Sequence, residues 1–141
     1  MMKKSLLLLA ALVLGGCATH WPETALLNPQ VIPSNQQYYS GNRITMEGVD
    51  KREAAYVFSI KKKEKAPVLV NSSQPLNNLL AEKLAEGLRS QGLEVGNSGT
   101  TNLTLAISTA AVTVEEKTFT YVTKSKVSLQ VIADFQGNKL T

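Results

Sequence analysis

Hydrophobic residues recur at every second position in several segments of the chain, which is the period of a β-strand that buries one face. Two short alternating segments occupy residues 43–49 and 54–60, and residues 66–71 form a short segment rich in β-branched residues. Two longer ones follow at residues 102–114 and 118–135, separated by the charged triplet Glu115-Glu116-Lys117. The pattern predicts several short strands followed by one long β-hairpin.

One segment, residues 72–92, has the period of a helix instead. Its apolar stripe consists of Leu76, Leu79, Leu80, Leu84 and Leu88. Ser73 is predicted as the N-cap, Pro75 is tolerated in the first turn, and Gly92 is predicted to end the helix. A leucine stripe of this kind packs on a sheet, so we expect Leu80 and Leu84 to be buried there.

The first arm of the predicted hairpin changes face near Ser108. Its apolar residues are Leu103, Leu105 and Ile107 before that point, and Ala110, Val112 and Val114 after it. In a regular hairpin, Val112, Val114 and Val122 form an exposed apolar strip, which we expect to bind a partner or a second copy of the chain. A β-bulge near Ser108 would instead return Val112 and Val114 to the core face.

The second arm keeps five apolar residues on one face, and its tip is polar. These five residues are Val127, Leu129, Val131, Ala133 and Phe135. We expect this base of the hairpin to pack under the helix and the tip to project. The predicted fold is α+β, with a mostly antiparallel sheet, a long β-hairpin and one amphipathic helix packed on one face.

The N-terminus has the composition of a secretory signal. Lys3 and Lys4 precede an unbroken apolar run at residues 6–14. That run is too short for a transmembrane helix, which needs about 20 apolar residues. The following Leu14-Gly15-Gly16-Cys17 resembles the bacterial lipobox, in which the cysteine sulfur receives a diacylglyceryl group and the chain is cut before it. The resemblance implies lipid attachment at Cys17, and Ala18 after it implies export to the outer membrane.

The predicted domain boundaries follow from this motif. Residues 1–16 are the signal peptide, residues 17–42 are the lipidated cysteine and an extended tether, and residues 43–141 are the periplasmic domain. Three of the five prolines lie in the tether. Extended chain of this composition spans about 3.1 Å per residue, so the tether would reach roughly 75 Å.

Charge and side-chain chemistry narrow the functional classes. The formal net charge of +4 falls to +2 without Lys3 and Lys4, which is too little to indicate a nucleic-acid partner. Four lysines lie close together in one predicted turn: Lys61, Lys62, Lys63 and Lys65. They form either a solvated hairpin turn or a patch that attracts anionic headgroups.

Residues suited to catalysis or metal binding are sparse. The single histidine, His20, lies in the tether without cysteines or carboxylates around it, so no metal site, serine triad or cofactor is predicted. Cys17 is the only cysteine, which leaves no disulfide. Asp50 and Arg52 are predicted to form a turn with an ion pair. The chain is therefore predicted not to be an enzyme.

Six features follow one another along the chain: the lipobox cysteine, the tether, VDKR (49–52), SQGLEVG (90–96), NLTLAIS (102–108) and TKSKVSLQVIADFQGNK (123–139). This ordered set resembles the YajG-type family of small bacterial lipoproteins across essentially the whole chain. The resemblance implies a further strand and an apolar-striped helix after GNK, so this chain is expected to lack both. The family supplies no established activity for named residues.

Together these observations predict a lipoprotein of the outer membrane that faces the periplasm and carries a non-enzymatic binding or adaptor domain. Its expected partners are the membrane, through Cys17, and an envelope protein or a second copy of the chain. One alternative is a carrier of lipid or lipopolysaccharide with an apolar cavity beneath the helix. Another is an envelope hydrolase with two carboxylates brought together in space.

Overall fold

The computed structural model describes residues 22–141. The strands are β1 (Thr24–Ala25), β2 (Arg43–Asp50), β3 (Tyr56–Lys61), β4 (Val68–Ser72), β5 (Glu94–Val95), β6 (Thr101–Glu116), β7 (Tyr121–Phe135) and β8 (Asn138–Leu140). One helix, α1 (Leu76–Arg89), lies between β4 and β5. The predictions of a signal peptide and of lipid attachment at Cys17 lie outside the described residues.

Strand β6 organises the sheet. One of its edges pairs with β7, antiparallel, along the whole length. Its other edge is shared by β2 and β3, which follow each other in line and both run parallel to β6. Strand β5 pairs with β2, β4 with β3, β1 with β4, and β8 with β7.

The prediction of an α+β fold with a mostly antiparallel sheet is wrong. The described chain is mostly β-structure, and its mixed sheet contains four parallel pairings, β1–β4, β2–β5, β2–β6 and β3–β6. Three pairings are antiparallel. Two of them, β3–β4 and β6–β7, are the predicted hairpins, and the third joins β7 to the short strand β8 through a tight turn. Alternation in sequence predicts which face a strand buries, but it does not predict which distant strand lies beside it.

The break between β2 and β3 coincides with a β-bulge in β6. The β6–β7 register shifts between Ile107 and Thr109, which leaves the exposed Ser108 as the extra residue. At the same level the chain leaves β2, and the Lys51 amide donates to the Ile107 carbonyl at 2.9 Å. The bulge that the sequence allowed near Ser108 is therefore present in the structure.

Helix α1 packs on one side of the sheet, which we call the helix face. The helix starts later than predicted, because Pro75 at its N-cap is extended (ψ 118°) and Ser73 makes no capping bond. It ends as predicted before Gly92, which has a positive φ of 87°. The buried helix residues are Leu76, Leu79, Ala81 and Ala85. Leu80 and Leu84 are only half-buried, because small side chains face β2 where the helix comes closest to the sheet.

The core lies between α1 and the middle of β6. Ile107 has no exposed surface and packs with Val57, Leu76 and Leu79. Ala25 and Leu27 from the N-terminal segment cover this cluster. Within this cluster, Ile107 joins the apolar stripe of the helix to the middle of β6.

Residues 22–42, which belong to the predicted tether, make hydrogen bonds to the domain at several points. We call them the N-terminal strap. The Ser73 amide donates to the Ala25 carbonyl at 2.9 Å, which fixes β1 at the edge of β4. Further on, the Ser34 amide donates to Ser90 Oγ at 3.0 Å and the Tyr39 amide donates to the Gln91 carbonyl at 3.0 Å. Prolines favour extended backbone both in a free tether and in a bound strap, so composition does not distinguish the two.

Candidate binding surface on strand β7

Strand β7 carries an alternating apolar pattern whose apolar face is uncovered. Val127 is 65% exposed, Leu129 46%, Val131 43% and Phe135 46%. We call these four residues the β7 surface. The strand was predicted to pack under the helix, but the helix covers only the part of the sheet nearer β2.

Strand pairing places the β7 surface on the helix face. Gly48 lies directly beneath the helix, it pairs with Leu105, and Leu105 pairs with Val131 on the other side. Paired residues in a sheet project to the same side, so Val131 points to the side that the helix occupies. The helix face therefore extends beyond the helix as an open apolar area.

Among residues 22–141, the outer edge of β7 is also unpaired over most of its length. Strand β8 pairs only with residues Ala133–Phe135, and within the described chain no strand pairs with the edge at residues 121–132. A strand edge of this kind presents unpaired N–H and C=O groups to solvent. Apolar side chains and free backbone groups thus meet along one strand.

The valines predicted to form one strip lie on two faces. Because of the bulge at Ser108, Val112 pairs with Ser125 and Val114 with Thr123, all on the helix face. Val122 pairs with Glu115 and points to the opposite face. The regular hairpin on which the strip depended is therefore absent, whereas contact of any of these valines with a partner stays a prediction.

The lysine-rich segment, residues 61–65, lies in the turn of the β3–β4 hairpin. A hairpin turn was one of the two interpretations of this segment, and a patch for anionic headgroups was the other. Lys61 lies beside Glu115, with Nζ 3.9 Å from a carboxylate oxygen, and Lys117 lies 3.3 Å from the same carboxylate. These cations, Lys117 first among them, lower the pKa of Glu115. Contact of Lys61, Lys62, Lys63 and Lys65 with anionic headgroups stays a prediction.

Asp50 and Arg52 form the predicted ion pair at the end of β2. Arg52 Nε donates to Asp50 Oδ1 at 2.9 Å and Nη2 donates to Oδ2 at 2.8 Å. Nη1 donates to the Tyr56 carbonyl at 3.3 Å, so one guanidinium joins the end of β2 to the start of β3. Only 6% of the Arg52 side chain is exposed. The hydrogen bond from Arg52 holds the pKa of Asp50 below its ordinary value.

We expect Asp50→Asn to lower the free energy of unfolding by about 1–2 kcal/mol at neutral pH, because a largely buried guanidinium loses its counter-ion. Since the pKa of Asp50 is lowered by folding, the ion pair stabilises the domain above the ordinary pKa of 3.8 and is lost as pH falls through the folded value. Urea unfolding at neutral pH and at about pH 3 measures both effects, and the difference between the variants should shrink in acid.

Asp134→Asn is the matched control for this ion pair, since Asp134 is the only other aspartate. Its Oδ1 accepts from the Gly137 amide at 2.9 Å, a bond that asparagine retains. A neutral-pH stability of Asp50→Asn equal to that of the wild type would show that the pair does not hold the two strands together.

The carrier needs an apolar cavity beneath the helix, and the hydrolase needs two carboxylates close together. An apolar groove of about 520 Å³ is present, but it lies beside β3 and β7, and its lining contains no helix residue. Glu47 and Asp134 line a cleft on the face away from the helix. Each carboxylate already accepts a hydrogen bond, from Thr104 and from the Gly137 amide. Residues 22–141 contain no group of three side chains suited to a metal ion.

A model of a protein family described as "Uncharacterized lipoprotein" (Lipoprotein_16) matches residues 29–141. No curated protein sequence matches the chain at a significant level. A solved structure titled "Crystal structure of uncharacterized protein" is similar at 12% sequence identity, with a TM-score of 0.40, over 74% of this chain and 71% of that chain. Among residues 22–141, no helix has both the length and the hydropathy to cross a membrane.

Proposed function

The chain belongs to the Lipoprotein_16 family of uncharacterized lipoproteins, and we propose that it is anchored to the outer membrane through Cys17 and binds an extended segment of another envelope protein along β7. The role is non-enzymatic and faces the periplasm. The observation that supports it is the β7 surface, an apolar face that adjoins an open strand edge.

An extended polypeptide suits this surface better than a lipid chain does. Covering the apolar face also removes water from the neighbouring backbone edge at residues 121–132. Buried N–H and C=O groups require hydrogen-bond partners, which an acyl chain does not supply. An added strand supplies them and places alternate side chains over Val127, Leu129 and Val131.

Charge favours a different, acidic protein over a second copy of this one. Along residues 121–132, β7 carries Lys124 and Lys126 and no carboxylate. Pairing two copies of this edge brings four lysines onto one side of the joined sheet, where like charges repel. A partner segment with aspartate or glutamate at alternate positions neutralises them, and its other positions are apolar.

Leu129→Lys tests this proposal. Photoreactive residues placed at Ser125 and at Val131 should link, in living cells, to positions about six residues apart on one acidic segment of a single protein. Leu129→Lys places a charge against the apolar contact, so we expect both adducts to fall about tenfold. The matched control is Gln130→Lys, which adds the same charge to the exposed residue on the other face and should leave both adducts in place.

Three outcomes would overturn the proposal. Adducts only to this chain itself would assign the surface to another part of the same molecule or to a second copy, which the mass of the adduct distinguishes. Adducts only to lipid would support the carrier. Protein adducts that survive Leu129→Lys, or that map to unrelated segments, would show that the partner does not pair along β7.

A further inference from the structure

Three segments converge at one end of the sheet. Lys61 pairs with Glu115, so the β3–β4 turn lies level with the tip of the β6–β7 hairpin. Tyr121 pairs with Glu116 at that tip. Pro22 lies beside Tyr121 and Ile60 in the apolar groove. We call this region, residues 61–65 and 117–121 together with Pro22, the anchor end.

The direction of β1 brings the start of the described chain, at Pro22, to this end. Thr24 pairs with Asn71 and Ala25 with Ser72 in parallel, so the chain before Thr24 leads back along β4 toward the β3–β4 turn. Only five peptide units separate Pro22 from Cys17, a distance of at most about 18 Å in extended chain. A lipid on Cys17 therefore keeps the anchor end close to the bilayer, because the N-terminal strap leaves no longer tether.

The side chains at the anchor end suit a membrane surface. Phe119 is 95% exposed and Tyr121 65% exposed. Aromatic side chains are favoured at the boundary between headgroups and acyl chains. Residues 61–65 and 115–117 contain five lysines and three glutamates, a net of two positive charges. The adjoining groove adds apolar surface on the same end.

We propose that the anchor end docks on the surface of a bilayer that contains anionic phospholipids. Phe119 enters the boundary between headgroups and acyl chains, and Lys63, Lys65 and Lys117 contact the headgroup phosphates. Docking fixes the orientation of the domain. Because β7 runs away from the tip, its far end, at Phe135, points away from the membrane. The orientation rests on the lipid attachment proposed above, whereas the surface chemistry of the anchor end does not.

Tryptophan fluorescence measures this docking directly. The purified whole protein carries Trp21→Phe, which removes its only tryptophan, together with either Phe119→Trp or Phe135→Trp. Both sites are exposed aromatics. Phe119 lies in the turn just before β7, and Phe135 is the last residue of β7. With vesicles of phosphatidylethanolamine and phosphatidylglycerol that contain brominated acyl chains, we expect several-fold stronger quenching at position 119 than at position 135.

Two further measurements distinguish docking of the domain from attachment of a lipid at Cys17: the quenching of a charge-reversed variant and the mass of the N-terminal peptide. Lys63→Glu combined with Lys65→Glu should weaken the quenching at position 119, as should high salt. The mass of the N-terminal peptide reports acylation independently. Equal quenching at positions 119 and 135 in acylated protein would overturn docking and leave the anchor intact. A mass without acyl chains would contradict the lipid anchor. Strong selective quenching at position 119 in that unacylated protein would still support docking.

Discussion

Gly48→Ala is expected to lower the free energy of unfolding by about 3 kcal/mol, because β2 passes directly beneath the helix at this residue. A Cβ atom added to Gly48 would lie 2.2 Å from the Asn77 carbonyl oxygen and 3.2 Å from Ala81 Cβ. Asn77 Nδ2 also donates to the Gly48 carbonyl at 2.9 Å, so the helix cannot move away without losing that bond. The nearest obstacle, the Asn77 carbonyl, is backbone, which relaxes less readily than a flexible side chain.

Urea unfolding measures the loss, and Gly96→Ala is its matched control. A Cβ atom added to Gly96 would meet no atom within 4 Å, so this variant should stay within about 0.5 kcal/mol of the wild type. If Gly48→Ala were as stable as Gly96→Ala, the close approach of the helix to β2 would be refuted.

Ile107→Ala is also expected to lower the free energy of unfolding strongly, by about 2–5 kcal/mol. Ile107 has no exposed surface and joins the helix residues Leu76 and Leu79 to Val57 on β3. Its replacement leaves a cavity at the point where β2 ends and β3 begins along β6. Rigid strands on both sides limit the collapse of that cavity, which favours the upper part of the range.

Ile32→Ala makes the same chemical change at a residue that is 91% exposed. It should cost less than about 0.5 kcal/mol in the same urea titration. Similar losses for the two isoleucine variants would mean that Ile107 is not the centre of the core.

Local features of this fold were predictable from sequence. The β3–β4 and β6–β7 hairpins follow from alternating segments separated by short polar turns, and the end of the helix follows from Gly92. The bulge at Ser108 was one of two stated alternatives, and the ion pair of Asp50 and Arg52 was predicted from their spacing. Each of these depends on residues close together in the chain.

Long-range features were not predictable in the same way. The parallel pairing of β2 and β3 with β6 joins residues far apart in sequence, which alternation does not specify. The exposure of Val127, Leu129 and Val131 was missed for a related reason. Alternation indicates a face suited to burial, but the extent of that face covered by the helix depends on tertiary packing. The N-terminal strap was missed because its hydrogen bonds are mostly made by backbone.

The shared edge of β6 has a consequence for the time course of folding. Strand β2 meets β6 through pairs such as Ile44 with Thr101, and β3 through pairs such as Ile60 with Val114, each more than fifty residues apart. Contacts of such sequence separation slow folding, because a long loop must close before any of them forms. During synthesis, β2 and β3 emerge before the strand that joins them. The sheet can therefore be completed only after β6 has been synthesised, so β2 and β3 remain without their neighbouring strand until residue 116 has been made.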